Sequence, residues 1–212
     1  MVTLGRVSPR PKLTDLRRQQ ILEAAAAVIA ERGLADARIA DIAERIGVSP
    51  ALVLYYFESK DVLLGEALAH KDRQFFESVT AAMSVVESPG GRLATLIESS
   101  CPTRTAGLGV DDEYVLWIEV WSRSRHDATL AKSRREMDAR WRGSIAEVVR
   151  EGQKAEEFNA AVDPEDFALR LAALIDGLAI QVVLGDDHVG PDDMRRLCLA
   201  AASTELGAPI AE

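Results

Sequence analysis

Apolar residues recur at steps of three and four along most of this chain, the period of α-helices that each bury one face. Ile21, Leu22, Ala25, Val28 and Ile29 set the inward face of a first helix, from a cap at Thr14 or Asp15 to about Arg32. Gly33 is its expected stop. Ile39, Ile42, Ala43 and Ile46 repeat the pattern over a shorter second helix. Gly47 can adopt a positive φ, Val48 plugs inward, and Ser49-Pro50 supplies an N-cap followed by proline at the first helical position. The third helix, Pro50 to Phe57, is too short to stand alone, and it presents Tyr55 and Tyr56 beside Lys60. Phe57 is expected to pack inward. Helix, glycine turn, helix is the geometry that lays a second helix in the major groove of DNA.

Beyond Ser59 the helical period continues. Leu64, Leu68, Phe75, Val79, Ala82 and Val86 share a face of a long fourth helix, with Ser88-Pro89-Gly90-Gly91 read as its stop. A short helix over 92–100, a loop over 103–110 and four more segments follow. One starts at Asp111 with Tyr114, Trp117, Ile118 and Trp121 on a face. The next covers about 128–153 and includes Leu130, Met137, Trp141, Ile145 and Val148. Asp163-Pro164 caps another, and the last begins at Pro191. No segment alternates as a strand does, so the expected fold class is all-α. Its parts are a flexible basic arm over 1–13, a three-helix helix-turn-helix unit over 14–59 and a helical body over 60–212.

The net charge of −9 is unusual for a protein that meets a polyanion, but its distribution is uneven. Residues 1–60 carry a net +2, residues 61–212 a net −11, and the first 20 alone +4. The basic end can track phosphates while the acidic body stays off the duplex. A basic arm also serves solubility, and charge alone does not separate the two. No apolar run reaches membrane-spanning length and no apolar leader opens the chain, so the expected location is cytoplasmic with no membrane partner. Cys101 and Cys198 form no metal or redox motif. Neither metal nor cofactor is expected.

The run Ile39 to Lys60 resembles the TetR family of transcriptional regulators, whose pattern is close to D-I-A-x-x-x-G-V-S-x-x-x-L-Y-Y-H-F-x-x-K. The resemblance implies DNA contacts from Ser49, Pro50, Ala51 and Leu52 at the start of the recognition helix. Tyr55, Tyr56 and Lys60 would hold phosphates. The chain departs from the pattern at Leu54, which replaces a tyrosine and leaves a thymine methyl as its possible partner. Arg38 stands where a threonine commonly caps the second helix; it is expected to reach a phosphate, with Asp36 as substitute cap. Shape readout and the arm residues Arg10, Lys12 or Arg17 would then carry more of the recognition.

The body is similar to that of TetR members related to the choline-responsive repressor of betaine synthesis. Trp117-Ile-Glu-Val-Trp121, Asp138-Ala-Arg-Trp141-Arg and Asp163-Pro-Glu with Leu174-Ile-Asp-Gly-Leu178 carry that likeness. It implies a repressor that binds a palindromic operator as a homodimer and is released by a small-molecule effector. The effector would be held by Phe75, Glu113 or Glu119, Tyr114, Trp117, Ile118 and Trp121. Two tryptophans a turn apart near carboxylates can cage an organic cation; the same stripe also suits an ordinary core. Phe167, Leu171, Leu174, Leu178 and Val182 step like a helix-packing seam, expected at the dimer interface unless one chain buries it alone. A helical-bundle enzyme and a DNA-free adaptor stay open as other classes. His70, His126 and His188 are dispersed, Glu66 and His70 read as a surface pair, and no catalytic motif is present.

Overall fold

The computed structural model describes residues 13–102, 104–105, 109–110 and 112–210, with the backbone alone at 104–105, 109–110 and 112–113. Of the expected arm, Leu13 opens a helix that also holds Arg17, whereas 1–12, including Arg10 and Lys12, lie outside the described residues, as does the Glu113 side chain. Two compact units divide within the fourth helix, at His70/Lys71.

The first unit holds α1 (Leu13–Asp36), α2 (Ile39–Arg45), α3 (Pro50–Tyr56) and the opening of α4 (Lys60–Met83). Thr14 and Asp15 fall inside the first turn of α1 rather than ahead of it. Gly33 takes φ 76°, ψ 159°, so the helix breaks there as expected, and a final turn to Asp36 follows the kink. The predicted inward residues Ile21, Leu22, Ala25, Val28 and Ile29 are buried. α4 begins in this unit because its first half is stitched to α1. Arg18 pairs with Glu66, His70 Nε2 lies 2.9 Å from Glu23, and Lys60 donates to the Ala35 carbonyl at 3.2 Å. Glu66 and His70 therefore each take a partner on α1 instead of pairing with each other.

The second unit contains α5 (Pro89–Ser99), α6 (Asp112–Ser124), α7 (Ala128–Lys154), α8 (Pro164–Leu184) and α9 (Pro191–Leu206), with the rest of α4. A two-residue antiparallel pair, β1 (Arg104–Thr105) with β2 (Gly109–Val110), lies in the segment expected as loop. The Ser88-Pro89-Gly90-Gly91 run starts a helix rather than stopping one. α4 ends at Met83, the Ser88 hydroxyl accepts from Gly91 N at 3.0 Å, and Pro89 sits at the first helical position. Proline and glycine are tolerated there because first-turn N–H groups have no intrahelical partner. Asp127 and Asp163 cap α7 and α8 in the same way.

α8 is the centre of this unit and packs on α6, α7 and α9. By length and composition it is the one described helix that could cross a membrane, and core burial accounts for one of its faces. Phe167, Leu171, Leu178 and Val182 are buried in the chain's own core, with Leu174 packed against it. The seam expected at the dimer interface is therefore occupied within a single chain. Leu169 (54 % exposed), Ala173, Gly177 and Leu184 (76 % exposed) lie on the other side of the helix.

Candidate functional site

The helix-turn-helix forms for the local reasons its sequence suggests. Gly47 adopts φ 67°, and Val48 N donates to Ala43 O at 3.0 Å, closing the turn. Ser49 Oγ accepts from Leu52 N at 3.2 Å, and Pro50 opens α3. No side chain caps α2: Arg38 occupies its N-cap position in extended geometry, and Asp36 ends α1 instead. Arg32–Asp41 at 3.0 Å and Arg45–Glu31 at 2.7 Å tie α1 to α2.

Burial divides α3 cleanly. Val53 is buried, and Phe57 just after the helix is 1 % exposed under the Arg18 guanidinium, 4.4 Å from the ring centre. Arg18 also donates to the Tyr56 carbonyl at 2.9 Å, fixing the end of the helix. Pro50, Ala51, Leu54 and Tyr55 are exposed together, with Leu52 and Tyr56 partly buried. Tyr55 is 81 % exposed and meets Tyr56 edge-on at 5.5 Å. Arg38 is exposed and without an ion pair among the described residues. Lys60 uses one N–H on Ala35 O, and an ammonium has three to give. The outward face thus carries the Ser49 and Tyr55 hydroxyls, several apolar groups and cations at its edge.

The second unit contains a cavity of about 610 Å³. α4 contributes Asp72, Phe75 and Phe76; α6 contributes Tyr114, Trp117 and Trp121; α7 contributes Asp138 and Trp141; α8 contributes Ile175 and Asp176. Phe75, Tyr114, Trp117 and Trp121 were expected there from sequence. Ile118 and Glu119 do not line it. The carboxylates of the cavity are Asp72, Asp138 and Asp176, which aromatic spacing along α6 could not reveal. The quoted Asp138–Trp141 and Leu174–Leu178 motifs contain two of them and were the available sign. All three tryptophans of the chain line this space.

Phe75 and Trp141 approach to 5.5 Å and Phe76 and Trp141 to 6.3 Å, forming an aromatic wall. Arg140 stacks 4.8 Å over Phe76 and pairs with Asp72 behind it. Asp72 is 2 % exposed, and its Oδ1 has no hydrogen-bond partner among the described residues. Burial raises its carboxyl above the usual range, against the pull of Arg140. Asp138 pairs with Arg134 one turn away. Burial pushes the Asp176 carboxyl up to about 6; the Asp138 charge adds to this and Arg142 opposes it. Cys101 lies outside the cavity, and burial pushes its thiol up to about 11, which suppresses the reactive thiolate.

Residues 21–67 match the family described as bacterial regulatory proteins, tetR family, and residues 89–207 match the BetI-type transcriptional repressor, C-terminal family. The chain belongs to the TetR family and has a BetI-type body. It is a DNA-binding, ligand-responsive transcriptional repressor. The HTH-type transcriptional regulator BetI of Proteus mirabilis (strain HI4320) is 28% identical over 184 residues, covering 84% of this repressor and 86% of that protein. A transcriptional regulator from Saccharomonospora viridis, solved in complex with choline, is 35% identical with a TM-score of 0.79. That match covers 87% of this chain and 94% of the other. A TetR-family regulator from Rhodococcus sp. is 26% identical with a TM-score of 0.78, covering 91% and 99% of the two chains. The repressor's α3 lies within the TetR-type match, and its cavity lies in the BetI-type part together with α4.

Proposed function

We propose that this repressor senses a small organic cation of the choline class in the α4–α8 cavity and leaves its operator when the cavity fills. The carrying observation is a cavity whose walls combine tryptophan and phenylalanine faces with three aspartates. Cations over aromatic faces gain about 0.5–2 kcal/mol, more when desolvated, and a carboxylate sets the charge preference. Choline bound to the 35%-identical Saccharomonospora viridis regulator supports the same class. α4 carries Lys60 in its first turn and Asp72, Phe75 and Phe76 further along, which makes it the proposed link to DNA. Because Trp117, Trp121 and Trp141 all line the cavity, choline should change the intrinsic tryptophan fluorescence saturably. A spectrum indifferent to millimolar choline would overturn this reading.

The proposed DNA contacts are Ser49, Pro50, Ala51, Leu52 and Leu54 toward bases, with Arg38, Tyr55, Tyr56 and Lys60 toward phosphates. Pro50, Ala51 and Leu54 offer no side-chain hydrogen bonds, so base reading rests on apolar contact, for which thymine methyls are the partners in the major groove. Replacing the contacted thymines of the operator with uracil is expected to weaken binding about fourfold per methyl, from about 0.8 kcal/mol of lost burial. A gel-shift series at fixed salt checks this, and equal affinity for all uracil-substituted duplexes would contradict it.

A homodimer is proposed through the outer face of α8, with Leu169, Ala173, Gly177 and Leu184, beside the exposed Leu197 of α9. Its apolar character on both sides supports a second covered face, since a helix apolar all round is ordinarily buried. A Cβ at Gly177 would meet nothing within 4 Å in the single chain. Gly177→Arg should therefore leave the fold intact yet sediment as a monomer and bind a palindromic operator weakly. Dimer sedimentation by the variant at micromolar concentration would remove this face from consideration.

A further inference from the structure

The three cavity aspartates are not equivalent. Asp72 Oδ2 accepts from Arg140, and its Oδ1 is buried. Asp138 is held by Arg134 one turn back on α7. Asp176 makes no hydrogen bond or ion pair with any described residue, lines the cavity, and is only partly buried. A carboxylate taken out of water without a hydrogen-bond partner is costly, and a cation seated in the cavity would offset that cost at Asp176.

Resting on the organic-cation reading above, we propose that Asp176 is the carboxylate that receives the effector's cationic head, which competes there with a proton. The charged neighbours favour this arrangement. α7 presents Asp138, Arg134, Arg135 and Arg142 to the cavity, α6 presents Tyr114, the turn after α6 presents Arg125, and α4 presents Asp72. α5 lines it with Ser99 and Ser100, α8 adds no other charged group, and α9 contributes none. Of these, Asp138 disfavours the ionised form of Asp176 and Arg142 favours it; burial outweighs both. No histidine lines the cavity, and burial brings the Asp176 carboxyl to about 6.

The sign follows from competition between a proton and a cation for one carboxylate. Above a pH of about 6 Asp176 is ionised and binding is at full strength; below it, each bound cation must first displace a proton. Between about pH 7.5 and about pH 5 the affinity for choline is expected to fall about tenfold. Calorimetry of the full chain near pH 6 in two buffers of different ionisation heat should show net proton release on choline binding. Asp176→Asn should bind choline about tenfold or more weakly at about pH 7.5 and release no proton. Its thermal melt, expected to lie at or above that of the unaltered chain, verifies that the variant is folded.

Choline affinity independent of pH with no proton release by the unaltered chain would overturn the assignment, whatever the variant does. Asp176→Asn retaining full affinity would overturn it equally. Failure of the unaltered chain to bind choline at any pH is a different result. It would overturn the organic-cation reading and carry this assignment down with it.

Discussion

Replacing Phe57 with alanine is expected to cost about 3–5 kcal/mol in the first unit and to abolish operator binding while leaving choline binding intact. Phe57 is 1 % exposed and follows the last residue of α3, where its ring lies under Arg18. Removing it opens a cavity beneath the reading helix and strips Arg18 of the surface on which it stacks. The same guanidinium holds the Tyr56 carbonyl, so the end of α3 loses its anchor as well. The tryptophans all sit in the other unit, so their response to choline should survive. An unchanged melt with undiminished operator affinity would show that Phe57 does not position α3.

The second large effect has the opposite sign. Asp176→Asn is expected to stabilise the ligand-free protein near pH 7.5 by up to about 3 kcal/mol. The folded chain holds the Asp176 proton up to a pH of about 6, whereas the ordinary carboxyl releases it near 3.8. Protonation thus favours the folded state between those values. Stability declines as pH rises through that window, and above it the charge is a standing cost. At about 1.4 kcal/mol per pH unit, the interval sets the bound of about 3 kcal/mol. Denaturant titrations of both proteins should diverge progressively from about pH 4 to about pH 6 and stay apart above it. Parallel curves at all pH values would mean that Asp176 is solvated and costs nothing. The residue that weakens the empty repressor is the one proposed to hold the effector, a common trade at functional sites.

Much of the fold was legible because each helix announces its own ends and inner face. Ser49-Pro50, Asp163-Pro164 and Gly33 act through neighbouring backbone, and a short stretch of sequence contains all the participants. Ser88-Pro89 has the same chemistry and was obscured by the two glycines after it, which read as a stop although they occupy a first turn. The seam on α8 shows a different limit. Helical spacing identifies Phe167, Leu171, Leu178 and Val182 as a packing face but says nothing about whether the partner is another chain or the same one. The outer row of Leu169, Ala173, Gly177 and Leu184 is less apolar and was overshadowed.

The cavity was legible on α6 alone. Trp117 and Trp121 share a face there with Tyr114, and periodicity is enough to group them. Their carboxylate companions come from α4, α7 and α8, residues brought together by tertiary packing across more than 100 positions between Asp72 and Asp176. Glu119 is near in sequence and away from the cavity. Separation along the chain also hid the pairs Arg18–Glu66 and His70–Glu23, which join α1 to α4.

Operator affinity measured with and without choline tests the central claim most directly. The DNA is a duplex selected by the purified repressor, and anisotropy is followed at one fixed salt concentration. Choline, at concentrations saturating the tryptophan response, is expected to raise the Kd for operator at least about tenfold, within the usual range of allosteric coupling. An operator Kd that stays constant while the tryptophan response saturates would contradict it.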